Sequence, residues 1–315
     1  MSLVINNNLM AMTATRNLSN AYGNLSTSVN RLSSGLRITT AADDAAGLAI
    51  RELMRADIAS LNQGIRNAND AISMIQTADG ALGVIDEKLI RMKELATQAA
   101  TGTYASDQRL IIDSEYQQMA SEITRIANAT DFNGIYLLNG NLSSKATNVA
   151  EWGDTHVGSG IASTGPLKIH FGTGNDSAED YYYIAIGNAT ASALGVGNAA
   201  DTGRANGTHD VNGAGHSIST QQGAQEALAA LNAAITSKDN IRASLGSLQN
   251  RLENTITNLQ IQAENLQAAE SRISDADIAV EMTNFVRNQI LTQSAVAMLS
   301  QANTLPQMAL QLMQG

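Results

Sequence analysis

Apolar residues recur every seven positions over most of this 315-residue chain, and this repeat limits the folds that the chain can adopt. The strictest run starts at Met54 and continues through Leu61, Ala68, Ile75, Leu82, Leu89 and Ala96. A sustained heptad predicts a helix that buries one stripe of its surface against other helices. One helix over residues 45–100 would be ~80 Å long at 1.5 Å per residue. Such a helix needs packing partners along its whole length.

Heptad runs also occupy both ends of the chain. Near the N-terminus the apolar positions are Leu18, Leu25 and Leu32, with Tyr22, Val29 and Leu36 as a second column. After residue 221 the run is Leu231, Leu245, Leu252, Leu259 and Leu266, and Lys238 is its one polar member. The N-terminal and C-terminal runs are therefore predicted to pair antiparallel in one elongated bundle.

A final helix is predicted after the cap-like residues Ser274 and Asp277. Its expected buried residues are Ile278, Met282, Phe285 and Ile290. Pro306 is expected to end this helix because proline lacks the backbone N–H that a helix interior needs. The residues beyond it, which include Met308, Leu310, Leu312 and Met313, are then an apolar tail.

The segment 141–220 differs from the rest in composition. It holds more than half of the 25 glycines, all four histidines and the single tryptophan. Leu167, Ile169 and Phe171 alternate with polar residues, and Tyr182, Ile184 and Ile186 do the same, which predicts short strands. Before this segment, Asn133-Gly134 and Asn139-Gly140 are typical of hairpin turns. The predicted fold is therefore mainly α: a long antiparallel, coiled-coil-like bundle with a β-hairpin and a small, separate β-rich insert domain.

Composition excludes several functional classes. The net charge of −10 argues against nucleic acid as a partner. The chain has no cysteine, so disulfides and thiolate chemistry are absent. No run approaches the ~20 apolar residues of a membrane span, and no basic region precedes an apolar stretch as in a cleavable signal peptide. Residues 1–42 lack Asp and Glu and resemble a transit peptide, but their periodicity continues into the next segment, which favours a helix of the mature fold.

The sequence predicts no catalytic, cofactor-binding or metal site. The H-E-x-x-H, P-loop, G-x-G-x-x-G and G-x-S-x-G patterns do not occur. His209, Asp210 and His216 lie in a glycine-rich stretch that is interpreted as a solvated turn. Asp275 and Asp277 are interpreted as helix-capping residues, because the other ligands of a calcium loop are missing.

Both ends of the chain are predicted to leave apolar stripes exposed even when they pair, and such stripes favour association. We therefore assign polymerisation to residues of the terminal segments: Leu18, Leu25, Leu32, Ile278, Met282, Phe285, Leu310, Leu312 and Met313.

Two stretches of the sequence resemble bacterial flagellin. The first runs from Asn30-Arg31-Leu32-Ser33-Ser34-Gly35 through Asp43-Asp44 to Ile50, and the second from Ser271-Arg272-Ile273 through Gln289-Ile290-Leu291 to Pro306-Gln307. The resemblance covers residues 1–140 and 221–315 in the correct order. It leaves residues 141–220 without a match.

The resemblance implies a domain plan and a biological role. Residues 1–42 with 277–315 correspond to the innermost filament layer (D0), residues 45–140 with 221–270 to the surrounding layer (D1), and residues 141–220 to a variable surface domain. Such a subunit is secreted unfolded through the flagellar type III apparatus and assembles with itself into the extracellular filament, a passive helical propeller for swimming. Its implied partners are an export chaperone, the filament cap and the hook–filament junction proteins, and the hook–filament junction protein itself is the alternative identity. A flagellin-framed enzyme would need a metalloprotease insert, and the missing H-E-x-x-H pattern argues against it.

The resemblance also implies that vertebrate Toll-like receptor 5 detects the monomer. The family's receptor-binding patch matches Arg91, Leu95 and Glu115 in this chain. Arg91 and Leu95 are four residues apart and share a helix face. Because neither belongs to the run through Leu89 and Ala96, both are expected to point outward.

Overall fold

The computed structural model describes residues 8–143, 166–176, 180–196 and 216–314. Its elements are, in order, α1 (Leu9–Ser34), α2 (Ala45–Ala100), α3 (Ser106–Ala129), β1 (Asp131–Phe132), β2 (Ile135–Tyr136), β3 (Leu167–His170), β4 (Tyr181–Ile184), α4 (Gln221–Ser274) and α5 (Ile278–Gln314). The described chain is mainly helical with two small antiparallel strand pairs, which confirms the predicted fold class.

The chain divides into two compact units, and α2 and α4 contribute residues to both. The terminal unit comprises Met1–Ala59 and Gln262–Gly315, and the middle unit comprises Ser60–Ile261. This division falls inside α2 and α4, whereas the domain plan placed its junctions near residues 43 and 271–276. The assignment of residues to filament layers stays a prediction.

The middle unit has an aliphatic helical core. On α2 every member of the predicted run from Leu61 to Ala96 is at most 3% exposed. A second column on α2 is buried as well, and it consists of Ala71, Ala78, Ile85, Met92 and Ala99. Four residues of α3 are also buried: Tyr116, Ala120, Ile123 and Ala127. Because other elements cover α2 on more than one side, the buried stripe on its surface is wider than the stripe that would be buried by a single partner helix.

Lys238, the polar member of the α4 run, lies in this core and is only 2% exposed. Its ammonium group pairs with the carboxylate of Asp86 on α2 and, at 2.8 Å, with that of Asp239. One turn further along α4, the guanidinium of Arg242 donates hydrogen bonds of 2.7 and 3.1 Å to the carboxylate of Asp79 on α2. Two ion pairs therefore connect the facing helices at defined positions, which fixes their register.

The hairpin predicted at Asn133-Gly134 is present. Strand β1 pairs antiparallel with β2, and the two turn residues have φ angles of 52° and 80°. Positive φ at both central positions defines a type I′ turn, which asparagine followed by glycine accommodates with little strain. The chain then buries Leu137 and Leu138 in the core of the middle unit.

The strands predicted around residues 167 and 184 are also present, and they pack against the helices. Strands β3 and β4 pair with Leu167 opposite Ile184 and Ile169 opposite Tyr182. Ile184 and Ile186 belong to the same core as α2, α3 and α4. At Gly64 the backbone of Phe171 approaches α2 so closely that an added Cβ would clash with the Phe171 carbonyl oxygen. The apolar side of the described part of the insert is therefore covered by the helices, and the assignment of residues 141–220 to a separate domain stays a prediction.

The terminal unit contains an antiparallel pair of helices, α1 and α5. Contacts at both ends of the pair show the direction: Asn8 bonds to Ala302, and Arg31 lies 3.9 Å from Glu281. The side of α1 that faces α5 is buried or half-buried with a 3-4 spacing: Ala14, Leu18, Ala21, Leu25, Ser28 and Leu32. On α5 the corresponding residues are Glu281, Phe285, Asn288, Thr292, Ala295, Leu299 and Ala302.

Two expectations for the last helix are wrong. Ile278, Met282 and Ile290 were expected to be buried, but they are 45–56% exposed because α1 covers only one side of α5. Pro306 was expected to end the helix, but α5 continues to Gln314.

Candidate assembly surface

The predicted polymerisation residues fall into two groups in the terminal unit. Leu18, Leu25 and Leu32 are half-buried on the side of α1 that faces α5. Phe285 has the same environment on α5, whereas Ile278 and Met282 are exposed. The four inward residues therefore hold the helix pair together within one subunit. The side chains of Leu310, Leu312 and Met313 lie outside the described residues, and their role stays a prediction.

Other apolar residues form the exposed surface of the terminal helices. Tyr22 and Val29, the second heptad column of α1, are 55% and 45% exposed. Large apolar side chains lie on several sides of both helices: Leu9, Met10 and Met12 on α1, and Ile278, Val280, Met282, Val286, Ile290, Leu291, Val296, Met298 and Met308 on α5. Exposed apolar side chains in this number favour association with further chains.

A groove of about 760 Å³ runs between α1 and α5. Its apolar walls include Leu9, Met10, Leu291 and Met298, and Asn17, Asn20 and Asn24 line one side. A groove of this kind accepts an apolar helix face and offers amides at its edge for hydrogen bonds.

One asparagine connects the start of α1 to α5. The side-chain oxygen of Asn8 accepts a hydrogen bond from the Ala11 N–H at 3.0 Å and so caps α1. Its amide nitrogen donates at 2.8 Å to the carbonyl of Ala302. In an α-helix that carbonyl would accept from the N–H of residue 306, which is proline and has none. Asn8 therefore supplies the donor that Pro306 removes from α5, which accounts for part of the helix's tolerance of this proline.

The two flagellin-like stretches meet at the linker between α1 and α2. The Arg37 side chain donates at 2.7 Å to the Ile273 carbonyl, and the Ala276 N–H donates at 2.9 Å to the Gly35 carbonyl. Gly35 has a φ of 72° and ends α1 in the left-handed conformation that glycine allows. These hydrogen bonds connect residues that are almost 240 positions apart in sequence.

Asp43 organises the same linker. Its carboxylate accepts the Thr40 N–H, the Thr39 hydroxyl and the Thr39 N–H at 3.0–3.2 Å, together with the Thr40 hydroxyl. These donors favour the ionised form and hold the pKa of Asp43 at about 2. Arg31 adds an ion pair at 3.6 Å. The linker is therefore an ordered segment.

The predicted receptor patch is only partly on the surface. Arg91 donates to Glu115 at 2.8 Å and to Glu94 at 3.0 Å, so α2 and α3 do bring Arg91 and Glu115 together. Leu95, however, is 2% exposed and belongs to the core. The expectation that Leu95 points outward is wrong, because α2 buries positions on both sides of Leu89 and Ala96 rather than a single seam.

Sequence reasoning missed the residues that join distant parts of the chain. Arg37 and Asp43 lie inside the motif that carried the family resemblance, but nothing in their spacing indicated what they bind. For Asn8 a signal existed, since a proline inside a helical pattern leaves one carbonyl without a donor. Over the ranges described, no group of three or more His, Asp or Glu residues is placed to hold a metal ion. None of the described helices is apolar enough over a sufficient length to cross a membrane.

The chain is similar to known proteins along almost its whole length. The model of the bacterial flagellin N-terminal helical region matches residues 5–143, and that of the bacterial flagellin C-terminal helical region matches residues 228–313. Flagellin FlaB1 of Treponema pallidum is 39% identical over 311 residues, which are 99% of this chain and 100% of that protein. The flagellar filament 33 kDa core protein of Treponema phagedenis is 40% identical with the same coverage. The crystal structure of Bacillus cereus flagellin covers 65% of this chain and 94% of its own, with 30% identity and a TM-score of 0.43.

Proposed function

The chain belongs to the bacterial flagellin family, and from this premise we propose that it is a structural subunit that polymerises with copies of itself into the flagellar filament. The observation that supports this most directly is the terminal helix pair. The residues of α1 and α5 that face each other pack together within the subunit. On the outer surface of the pair, about half of each large apolar side chain is exposed to water. A polymer buries that surface, and at roughly 25 cal/mol per Å² the burial offsets the entropy lost on association.

The proposed role is mechanical and not catalytic. The filament transmits rotation as a passive propeller, so the subunit contributes geometry and stiffness. The middle unit supports this role through its long α2 and α4 helices, which are joined by the Asp79–Arg242 and Asp86–Lys238 pairs. The terminal unit supports it through the exposed apolar surface. We propose export of the unfolded chain through the flagellar secretion apparatus to the outside of the cell.

The proposed partners besides further copies are an export chaperone, the filament cap and the hook–filament junction proteins. For Toll-like receptor 5 the proposed contact residues are Arg91 and Glu115, whose side chains are 49% and 42% exposed and form an ion pair. Leu95→Ala is unsuitable as a test of this contact, because truncating a buried leucine destabilises the fold by about 2–5 kcal/mol. Receptor activation by monomeric Arg91→Ala and Glu115→Ala should fall below that of the parent. Arg125→Ala, which removes a surface pair with Glu122, is the matched control.

Seeded polymerisation tests the function. Purified chain added to short filament fragments should elongate them, as seen by negative-stain electron microscopy and sedimentation. Tyr22→Asp with Val29→Asp should abolish elongation while leaving the helical content unchanged, because both residues face solvent in the subunit. Thr27→Asp, at an exposed polar position of α1, is the control.

One result would contradict the proposed function, and another would contradict only the role given to Tyr22 and Val29. Fragments that stop after a few added subunits would indicate a junction protein instead. Full elongation by the Tyr22→Asp, Val29→Asp variant would show that this column makes no lattice contact.

A further inference from the structure

The exposed methionines of the described chain all lie in the terminal helices. Met10 and Met12 on α1 are 48% and 66% exposed, and Met282, Met298 and Met308 on α5 are 45–59% exposed. In the middle unit, by contrast, Met74 and Met92 are at most 2% exposed, and Met119 is half-buried against the core. The solvent-exposed thioethers are therefore concentrated on α1 and α5, whose outer surface is the proposed assembly surface.

Methionine is well suited to such a surface because its side chain is flexible and polarisable and fits irregular apolar contacts. It is also the apolar residue that mild oxidants convert most readily. With a peroxide, the thioether sulfur attacks one oxygen of the O–O bond and that bond breaks. The sulfur is oxidised to the sulfoxide, the proton of the transferred hydroxyl passes to the second oxygen, and that oxygen leaves as water when the oxidant is hydrogen peroxide. The product is polar and carries a strong hydrogen-bond acceptor.

Two of these residues, Met10 and Met298, line the groove between α1 and α5 from opposite sides. A sulfoxide there would have to be desolvated when an apolar helix face enters the groove. Burying an unpaired polar group opposes association, and five such groups lie on one helix pair. Met74 and Met92, in the core of the middle unit, are shielded from the oxidant by their burial.

We propose that Met10, Met12, Met282, Met298 and Met308 form an oxidation-sensitive site through which peroxides block the assembly of the free subunit. This inference rests on the proposed filament function. It adds a chemical condition to that function: the subunit polymerises only while these thioethers are reduced. Reduction of the sulfoxides restores assembly, because the modification is reversible by methionine sulfoxide reductases.

The test treats purified full-length subunit with hydrogen peroxide, maps sulfoxides by peptide mass spectrometry and then measures seeded elongation. The five exposed methionines should be modified before Met74 and Met92. The elongation rate should fall by at least about tenfold, which corresponds to about 1.4 kcal/mol. Treatment with both classes of methionine sulfoxide reductase should restore the rate.

Variants separate the proposed residues from other targets. A chain with all five methionines replaced by leucine should elongate seeds at the same rate before and after peroxide, because leucine is close in volume and inert to it. Met74→Leu with Met92→Leu is the matched control and should stay sensitive. Sensitivity that persists in the five-leucine chain would overturn the inference, and so would unimpaired elongation by fully oxidised parent. A parent that fails to elongate seeds before oxidation would instead overturn the proposed function.

Discussion

Several single side chains in this subunit connect two different segments of the chain. Asn8 caps α1 and also satisfies a carbonyl of α5. Arg37 reaches Ile273, and Arg51, which is buried, donates at 2.8 Å to the Ile38 carbonyl. Each of these contacts pairs a backbone group that its own helix or linker leaves without a partner, so each has a specific energetic role.

The Asn8 contact predicts an interaction between two distant substitutions. Asn8→Asp keeps a good cap for α1 but can no longer donate to Ala302, so it should destabilise the α1–α5 pair by about 1–2 kcal/mol. In a Pro306→Ala background the N–H of residue 306 can donate to the Ala302 carbonyl. Asn8→Asp should then destabilise the α1–α5 pair by less. Amide hydrogen exchange of α1 in the four chains of this cycle measures the difference. Equal costs in both backgrounds would show that the contact is dispensable.

Gly64 determines how closely the backbone at Phe171 can pack against α2. Gly64→Ala places a Cβ against the Phe171 carbonyl oxygen, so α2 and the segment that follows β3 must separate at a cost of about 1–3 kcal/mol. Gly80→Ala on the same helix meets no atom within 4 Å and should stabilise by up to about 1 kcal/mol through helix propensity. Thermal unfolding of both variants gives the comparison. A destabilised Gly80→Ala chain or an unaffected Gly64→Ala chain would contradict this packing.

At the scale of elements, helices α2 and α4 are held in register by charge as well as by apolar contacts. Lys238→Ala leaves the Asp86 carboxylate without its main partner and opens a gap in the core, and we expect a loss of about 2–4 kcal/mol. Arg125→Ala removes a surface pair with Glu122 and should cost under about 1 kcal/mol. Urea unfolding measures both. Similar losses in the two variants would mean that burial adds nothing to the Lys238 pair.

The linker between α1 and α2 should respond to acid. The pKa of Asp43 is depressed to about 2 from its ordinary value of 3.8, so the folded state favours the ionised carboxylate. Because the folded state binds this proton more weakly than the unfolded state, the ionised Asp43 carboxylate adds to the free energy of unfolding. That stabilisation is fully present above pH 4 and is lost as the pH falls through about 2. A carbon-detected NMR titration of Asp43 should show the low midpoint. Thr39→Val should raise it, whereas a midpoint near 3.8 in the parent would contradict the contacts described.

At the scale of the whole molecule, the core and the proposed assembly surface occupy different parts of the sequence. The buried residues of the main core all lie between Ala68 and Leu252, inside the middle unit. The exposed apolar residues of α1 and α5 lie in the terminal unit. Stability of the subunit and its capacity to polymerise should therefore be separable.

A chain of residues 45–270 tests that separation. It retains the main core, so it should unfold cooperatively within a few degrees of the parent's melting temperature. It should not elongate filament seeds, because α1 and α5 are missing. Circular dichroism melting and seeded elongation are the measurements. Elongation by the truncated chain would place the essential contacts in the middle unit, and a non-cooperative melt would show that the terminal helices are needed for folding.

The positions of the helices followed from sequence because a heptad is a local pattern. The runs through Leu61–Ala96 and Leu231–Leu259 predicted which residues α2 and α4 bury, and Asn133-Gly134 predicted a turn through its tolerance of positive φ. The two terminal motifs identified the family. Each of these inferences depends on residues close together in the chain.

Only the tertiary structure decided how many sides of each helix are covered. Ile278 was expected to be buried and is exposed, because α5 has one described neighbouring helix on its inner side; Leu95 was expected to be exposed and is buried, because α2 is packed on several sides. Likewise the strands around Ile184 joined the helical core, and α5 continued through Pro306. Periodicity specifies an apolar stripe but not the number of its partners, and a carbonyl left open by proline can be satisfied by a residue almost 300 positions away. Contacts at that separation depend on how the whole chain folds, so no local pattern encodes them.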